Sequence, residues 1–168
     1  MTVDPAAAAR TLAAEAGLDP NRLLLGPVQL VVVALGWATV EAARAAEELG
    51  LPAGLGTVVP GEADGLLGAT TSIWRPAPDE PALVLLEPST EGLLAAGLAR
   101  RSEGPVALYV VPVSGTPSPG GLAEAVQALA NAGVRCRTGH GPFGPEALVL
   151  DRAPAEPQLV LVGVPSAT

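Results

Sequence analysis

Apolar positions in this 168-residue chain fall into short blocks separated by proline and glycine. Four blocks are almost wholly apolar, with only Gln29 and Gln158 interrupting: residues 28–33, 82–86, 106–111 and 158–162. Each is of strand length and rich in Val and Leu, and a strand without polar alternation is one covered on both faces. Two of the blocks share a frame. Pro78-Asp79-Glu80-Pro81 leads into the block closed by Pro88, and Pro154-Ala155-Glu156-Pro157 leads into the block closed by Pro165. The other two each follow a proline, Pro27 and Pro105. Both pairs are separated by roughly half the chain, which reads as an internal duplication.

Placed in order, the pattern predicts a helical extension over residues 1–26, with Asp4 as N-cap, Pro5 at the first helical position and Gly17 as the stop. A second helical turn starts at Asp19-Pro20. The first repeat, 27–88, reads as a strand over 28–33, a helix from Trp37 or Thr39 to Leu49 ended by Gly50, a short strand over 55–59, a strand over 66–74 interrupted at Gly68, and a strand over 82–86. A connector, 89–104, carries a helix over about 91–101 with Leu93, Leu94 and Leu98 on one side. The second repeat, 105–168, reads as a strand over 106–111, a helix over 122–132, a strand over 134–138, a glycine-rich turn over 139–144, and strands over 147–150 and 158–162. Both repeats are therefore β-α-β-β-β. In the 134–138 strand Arg135, Arg137 and His140 alternate with Val134, Cys136 and Thr138, giving that strand one polar face.

Composition then narrows the function. The net charge is −8, with nine basic residues, all Arg. An acidic surface disfavours phosphate backbones, so nucleic acid is not expected as a partner. Hydrophobic residues make up 49% and the mean hydropathy is +0.42, enough to fill a core. No apolar run approaches the ~20 residues of a membrane span, and Asp4 and Pro5 stand where a signal peptide carries basic residues, so a cytoplasmic protein is expected. Cys136 and His140 are the only residues of their kinds, which removes an intrachain disulfide and any Cys-rich zinc site.

Two β-α-β-β-β units joined by a short helix resemble the vicinal oxygen chelate (glyoxalase/bleomycin-resistance) superfamily, and within it the methylmalonyl-CoA epimerase-like branch. The likeness is carried by Leu85-Leu86-Glu87-Pro88-Ser89-Thr90-Glu91, the helix after it, Glu103-Gly104-Pro105-Val106, the helix ending Ala46-Glu47-Glu48-Leu49-Gly50-Leu51 and the one ending Leu129-Ala130-Asn131-Ala132-Gly133-Val134. It covers about residues 27–164. It implies an α+β fold in which tandem βαβββ modules form a curled mixed or antiparallel sheet, a cup. Metal-dependent members hold one divalent ion with four side chains, one each on the first and last strands of both units. The matching positions here are Leu30, Val84, Ala107 or Leu108, and Val160, none of which is a ligand. Hydrocarbon offers a divalent ion nothing in exchange for its hydration. No metal and no other cofactor is therefore expected.

Three readings follow. The first is a metal-free binding protein that holds an apolar or aromatic small molecule in the cup, with Leu30, Trp74, Val84, Leu108, Tyr109 and Val160 as its lining; binding members of the superfamily imply a homodimer. The second is an epimerase or lyase acting on an acyl-CoA-like or hydroxy-acid substrate with non-standard residues, His140 and Glu87 being the catalytic candidates and Glu103 and Asp151 further groups to watch. The third is a structural or assembly partner. Each candidate also has a plain reading: His140 as part of a surface turn, Glu87 as a strand-end carboxylate, Trp74 and Tyr109 as core, Cys136 as a small buried hydrophobe. The loop 115–121 before a helix has the setting of an anion site but no phosphate-binding motif. None of the serines sits in a nucleophile-elbow pattern.

Overall fold

The computed structural model describes residues 3–19, 22–51, 58–89, 91–113, 121–152 and 156–163. Helix α1 spans Pro5–Glu15, and Asp4 caps it: its carboxylate accepts the backbone N–H groups of Ala6 and Ala7. Strands β1 (Leu24–Leu25) and β2 (Val28–Ala38), helix α2 (Ala42–Glu48), and strands β3 (Val59–Pro60), β4 (Ala69–Trp74) and β5 (Ala82–Pro88) follow. Helix α3 (Leu93–Arg101) leads to β6 (Gly104–Pro112), α4 (Gly121–Asn131), β7 (Cys136–Gly141), β8 (Gly144–Val149) and β9 (Gln158–Val162).

All the strands join one mixed sheet in the order β3-β4-β5-β2-β6-β9-β8-β7, with β1 paired to β2. Within each module the first and last strands run parallel, β2 with β5 and β6 with β9. The two modules meet where β2 and β6 run antiparallel, from Leu30↔Pro112 to Ala38↔Gly104. The result is an α+β fold with a curled sheet, as the resemblance implies.

Alternation along the fully apolar strands sends side chains to two separate cores. Leu83 and Leu85 of β5, Leu108 and Val110 of β6, and Leu159 and Leu161 of β9 pack under helices α1, α2 and α4. Val84 and Leu86, Ala107 and Tyr109, and Val160 and Val162 point the other way, into the inner face of the curl. Strand β2 keeps Leu30 and Leu35 on the helix side although they are five residues apart, because its register shifts between Val32 and Ala34. A bulge absorbs the odd spacing.

The elements differ from the sequence expectation at several boundaries. Strand β2 runs on through Ala38, and the Thr39 N–H still bonds to the Leu86 carbonyl, so α2 starts only at Ala42. The expected strand over 66–74 begins at Ala69. Upstream of it the Asp64 side chain accepts the N–H groups of Leu66 and Leu67 and folds the chain into a tight turn. The expected glycine-rich turn at 139–144 is mostly strand, since β7 extends to Gly141 and pairs with Gly144. In place of a second helical turn, Asp19 bridges Arg22; Pro20 lies outside the described residues, as do residues 55–57 and 114–120 of the expected first-module strand and second-module loop.

Candidate functional site within the curled sheet

The inner face holds both buried polar groups and open space. At its centre Tyr109 of β6 projects between the modules. Space for its ring comes from β2, where its cross-strand partner is Ala34 and the next inward position is Gly36. A Cβ on Gly36 would meet Ala107 Cβ and Leu86 Cδ1 at 2.9 Å, so only glycine fits there. The Tyr109 hydroxyl donates to Asp64 Oδ2 at 2.7 Å. Asp64, 1% exposed, takes the Leu66 and Leu67 amides on its other oxygen at 3.0 and 2.8 Å. Burial, the Asp64 charge and this hydrogen bond together push the Tyr109 hydroxyl well above the usual tyrosine range.

Glu146 of β8 lies next to this pair and is also 1% exposed. Neither of its carboxylate oxygens has a hydrogen-bond partner among the described residues. Burial, then the neighbouring Asp64 charge, raise its pKa from 4.5 to about 8; the backbone N–H of Phe143 opposes this, though it does not reach either oxygen in normal hydrogen-bond geometry. The carboxylate rests against β7, where a Cβ on Gly141 would stand 2.2 Å from Oε2. Two positions earlier, Gly139 makes room for Leu66, whose side chain is 2.7 Å from where a Cβ would be. Gly139 and Gly141 are thus the flat inner side of β7, and the turn 64–67 closes down on them through Gly65 N–H to the His140 carbonyl.

The centre of the cup is therefore filled by Leu66, Leu67, Tyr109 and Leu148. Open space remains at one end. A groove of about 680 Å³ is lined by Val31, Val33, Val111, Phe143 and Val162 and by the turn from Arg75 to Pro81. Phe143 divides the groove from the buried polar groups: its ring packs edge-on against Tyr109, with centroids 5.3 Å apart, and Arg75 lies over it at 5.7 Å.

The sequence-derived lining is split by this geometry. Val84, Tyr109 and Val160 face the inner side, whereas Leu30, Trp74 and Leu108 face the helices. None of the six lines the groove. The Trp74 indole N–H is buried with no acceptor among the described residues. His140 is 61% exposed on the strand side shared with Cys136 and Thr138, not with Arg135 and Arg137, and contacts Glu62 at 3.2 Å. Glu87 accepts the Ala42 N–H and so caps α2. Glu103 holds Thr39, the Val40 N–H and Arg44, contacts with Arg44 first that draw its pKa down to about 2. Asp151 pairs with Arg135 at the surface. Arg137 reaches inward instead and donates to the Leu66 carbonyl. Partial burial raises the Cys136 thiol, which disfavours a reactive thiolate.

Asp64, Glu146, Arg75 and Phe143 escaped sequence reading. The signals were faint: an Asp-Gly-Leu-Leu turn, a lone Glu two positions before Leu148 in an apolar strand, and glycines spaced by two on the partner strand.

No protein-family model matches this sequence, and no curated protein does. Solved structures do. A hypothetical protein from Bacillus halodurans C-125 superposes with a TM-score of 0.61 at 17% identity, over 83% of this chain and 97% of that one. Methylmalonyl-CoA epimerase from Mycobacterium tuberculosis gives 0.62 at 17%, over 83% and 91%. A variant of the Streptomyces coelicolor methylmalonyl-CoA epimerase, in complex with 2-nitronate-propionyl-CoA, gives 0.57 at 19%, over 79% and 97%. The chain has the glyoxalase-like fold of the vicinal oxygen chelate superfamily. That fold implies a divalent metal on the first and last strands of each module, but the residues here do not fit one. Val84 and Val160 face the inner side as hydrocarbon, flanked in the sheet by Gly36 and Tyr109, and no group of three His, Cys, Asp or Glu able to hold an ion occurs among the described residues.

Proposed function

We propose that this chain is a binding protein for a small molecule with an apolar body and an acidic group, held without a metal in the groove at the end of the cup. The observation that carries this is the groove itself. Its floor is Val33, Val111, Phe143 and Val162, its volume of about 680 Å³ suits a small organic ligand, and Arg75 stands over Phe143 with no ion-pair partner among the described residues. The turn that carries it also brings Asp79 and Glu80 to the groove, and Arg75 is the one cationic group lining it among the described residues. A guanidinium without an ion pair recognises a carboxylate or a related anion. The lining differs from the one drawn from sequence, yet the class of ligand, apolar or aromatic, is retained, and a homodimer remains the expected assembly.

Titration calorimetry with 1-anilinonaphthalene-8-sulfonate and a neutral anilinonaphthalene tests the reading. Saturable one-to-one binding is expected. Arg75→Ala should weaken the anion alone, by about tenfold for a lost charge-assisted contact. Val31→Glu, at a groove position that is 49% exposed, should weaken both. Absence of saturable binding, or indifference to both substitutions, overturns the proposal.

A second reading has a specific observation behind it. Structural neighbours are methylmalonyl-CoA epimerases bound to methylmalonyl-CoA or to 2-nitronate-propionyl-CoA, and this chain has a buried carboxyl near its groove. Solvent deuterium appearing at the α-carbon of methylmalonyl-CoA, catalysed by the metal-stripped protein, would favour an epimerase-type enzyme over a binding protein.

A further inference from the structure

Glu146 is the group in this molecule whose position is hardest to account for by packing. A buried carboxyl with no partner is costly, and a volume-matched apolar residue would fill the same place in the inner core. Every neighbouring element fails to supply a partner. From the turn before β4 comes Asp64, a carboxylate whose three donors are Tyr109 and the amides of Leu66 and Leu67. From β6 comes Tyr109, whose hydroxyl already donates its hydrogen bond to Asp64. From β7 come Gly139 and Gly141, and from β9 Val162, its cross-strand partner, none of which has a polar side chain; Arg137, on the same side of β7, is engaged by the Leu66 carbonyl instead. The β7–β8 hairpin adds Phe143. No cation faces Glu146 in this set.

A carboxyl buried beside another carboxylate, with no cation to pair with, keeps its proton. It is then a neutral acid with a hydrogen to give and no hydrogen-bond partner among the described residues. Phe143 connects this acid to the groove: its ring lines the groove and packs on Tyr109, and its backbone N–H is turned toward Glu146. It occupies a short turn between Gly141 and Gly144, the latter at φ +98°.

We propose that protonated Glu146 is the inner anchor of the groove, donating a hydrogen bond, with the Phe143 ring turned aside, to a neutral carbonyl oxygen of the ligand while Arg75 holds the ligand's acidic group at the rim. The ligand class is accordingly an apolar oxo acid or an acyl compound bearing a ketone or thioester carbonyl. A second anionic group is excluded from the inner position by the charge of Asp64 beside it. This deepens the groove reading and rests on it.

The test compares linear keto acids, with the ketone at increasing distance from the carboxylate, against unsubstituted fatty acids of the same length. In wild type at about pH 6, the best keto acid should bind about tenfold tighter than its fatty acid, the worth of one good hydrogen bond. The preference should vanish toward about pH 10 as the acid ionises. Glu146→Leu should abolish the preference at every pH while leaving fatty-acid binding in place. Glu146→Gln, whose amide still donates and preserves the shape, should keep the preference and lose its pH dependence. A wild-type preference that is absent, or that survives in Glu146→Leu, overturns the anchor but leaves the groove reading intact. Failure of fatty acids and keto acids alike to bind overturns both. A ¹³C titration of the Glu146 carboxyl checks the protonated state without any ligand, and ionisation in the ordinary glutamate range overturns the anchor on its own.

Discussion

The two faces of the sheet are built from the same strands and solve different problems. The helix-side face is hydrocarbon meeting hydrocarbon: Leu83, Leu85, Leu108 and Leu159 against Leu12, Ala45 and Leu129. The inner face carries Asp64, Tyr109, Glu146 and Thr71 among its buried residues, and a groove at one end. Alternation along each strand lets one segment serve both, since Leu108 and Tyr109 are sequence neighbours on opposite sides. The Trp74 indole N–H is the one unsatisfied buried side-chain group of the helix side among the described residues; the inner face instead carries a buried carboxyl without a partner, and a buried group of that kind is characteristic of sites that bind something.

Substitutions on the two faces should therefore differ in kind. The largest effect belongs to the helix side. Leu85→Ala, fully buried, should cost about 3 kcal/mol, read as a lower denaturation midpoint with unchanged slope. A loss under ~1 kcal/mol would mean that the helices do not pack on this face as described.

Next comes the inner face, where the effect depends on pH. The folded-state pKa of Glu146 is raised from 4.5 to about 8. Between those values the folded chain keeps a proton the unfolded chain has lost. Stability on this account is fully present below about pH 4.5, falls as pH rises toward about 8, and is flat above it. The fall should be on the order of a few kcal/mol, and Glu146→Gln should remove it. Urea titrations of both proteins across that range check this; parallel profiles would refute it.

Tyr109→Phe follows, leaving Asp64 Oδ2 without its donor inside the core. About 1–2 kcal/mol is expected, with the ring packing against Phe143 preserved. Last is His140→Ala, which should change stability by no more than ~0.5 kcal/mol because the side chain is mostly exposed.

Sequence pattern was enough to find most of the strands and the fold class, because apolar runs bounded by proline report burial directly. It could not tell which face a run presents where a bulge intervenes: the shift after Val32 turned Leu30 toward the helices while Val31 and Val33 came to line the groove. Nor could it find Asp64 and Glu146, since their partnership joins residues far apart in the chain through a turn that itself depends on Asp64. The same blindness applied to Gly139 and Gly141. Glycine pairs read as a turn in sequence, whereas here they are a strand whose inner side must be bare.

The antiparallel seam between β2 and β6 has a consequence for how the molecule is made. Strand β2 lies at the middle of the finished sheet, yet it leaves the ribosome before either of its main partners exists. About seventy more residues must follow before β6 is complete, roughly 4–15 s of synthesis at ordinary speeds. Until β5 is complete at Pro88, the partner of Val28–Ala38 already made is the short β1, which pairs with it through Leu24↔Gln29 and Leu25↔Val28, a local cover for the strand that ends up at the sheet's centre.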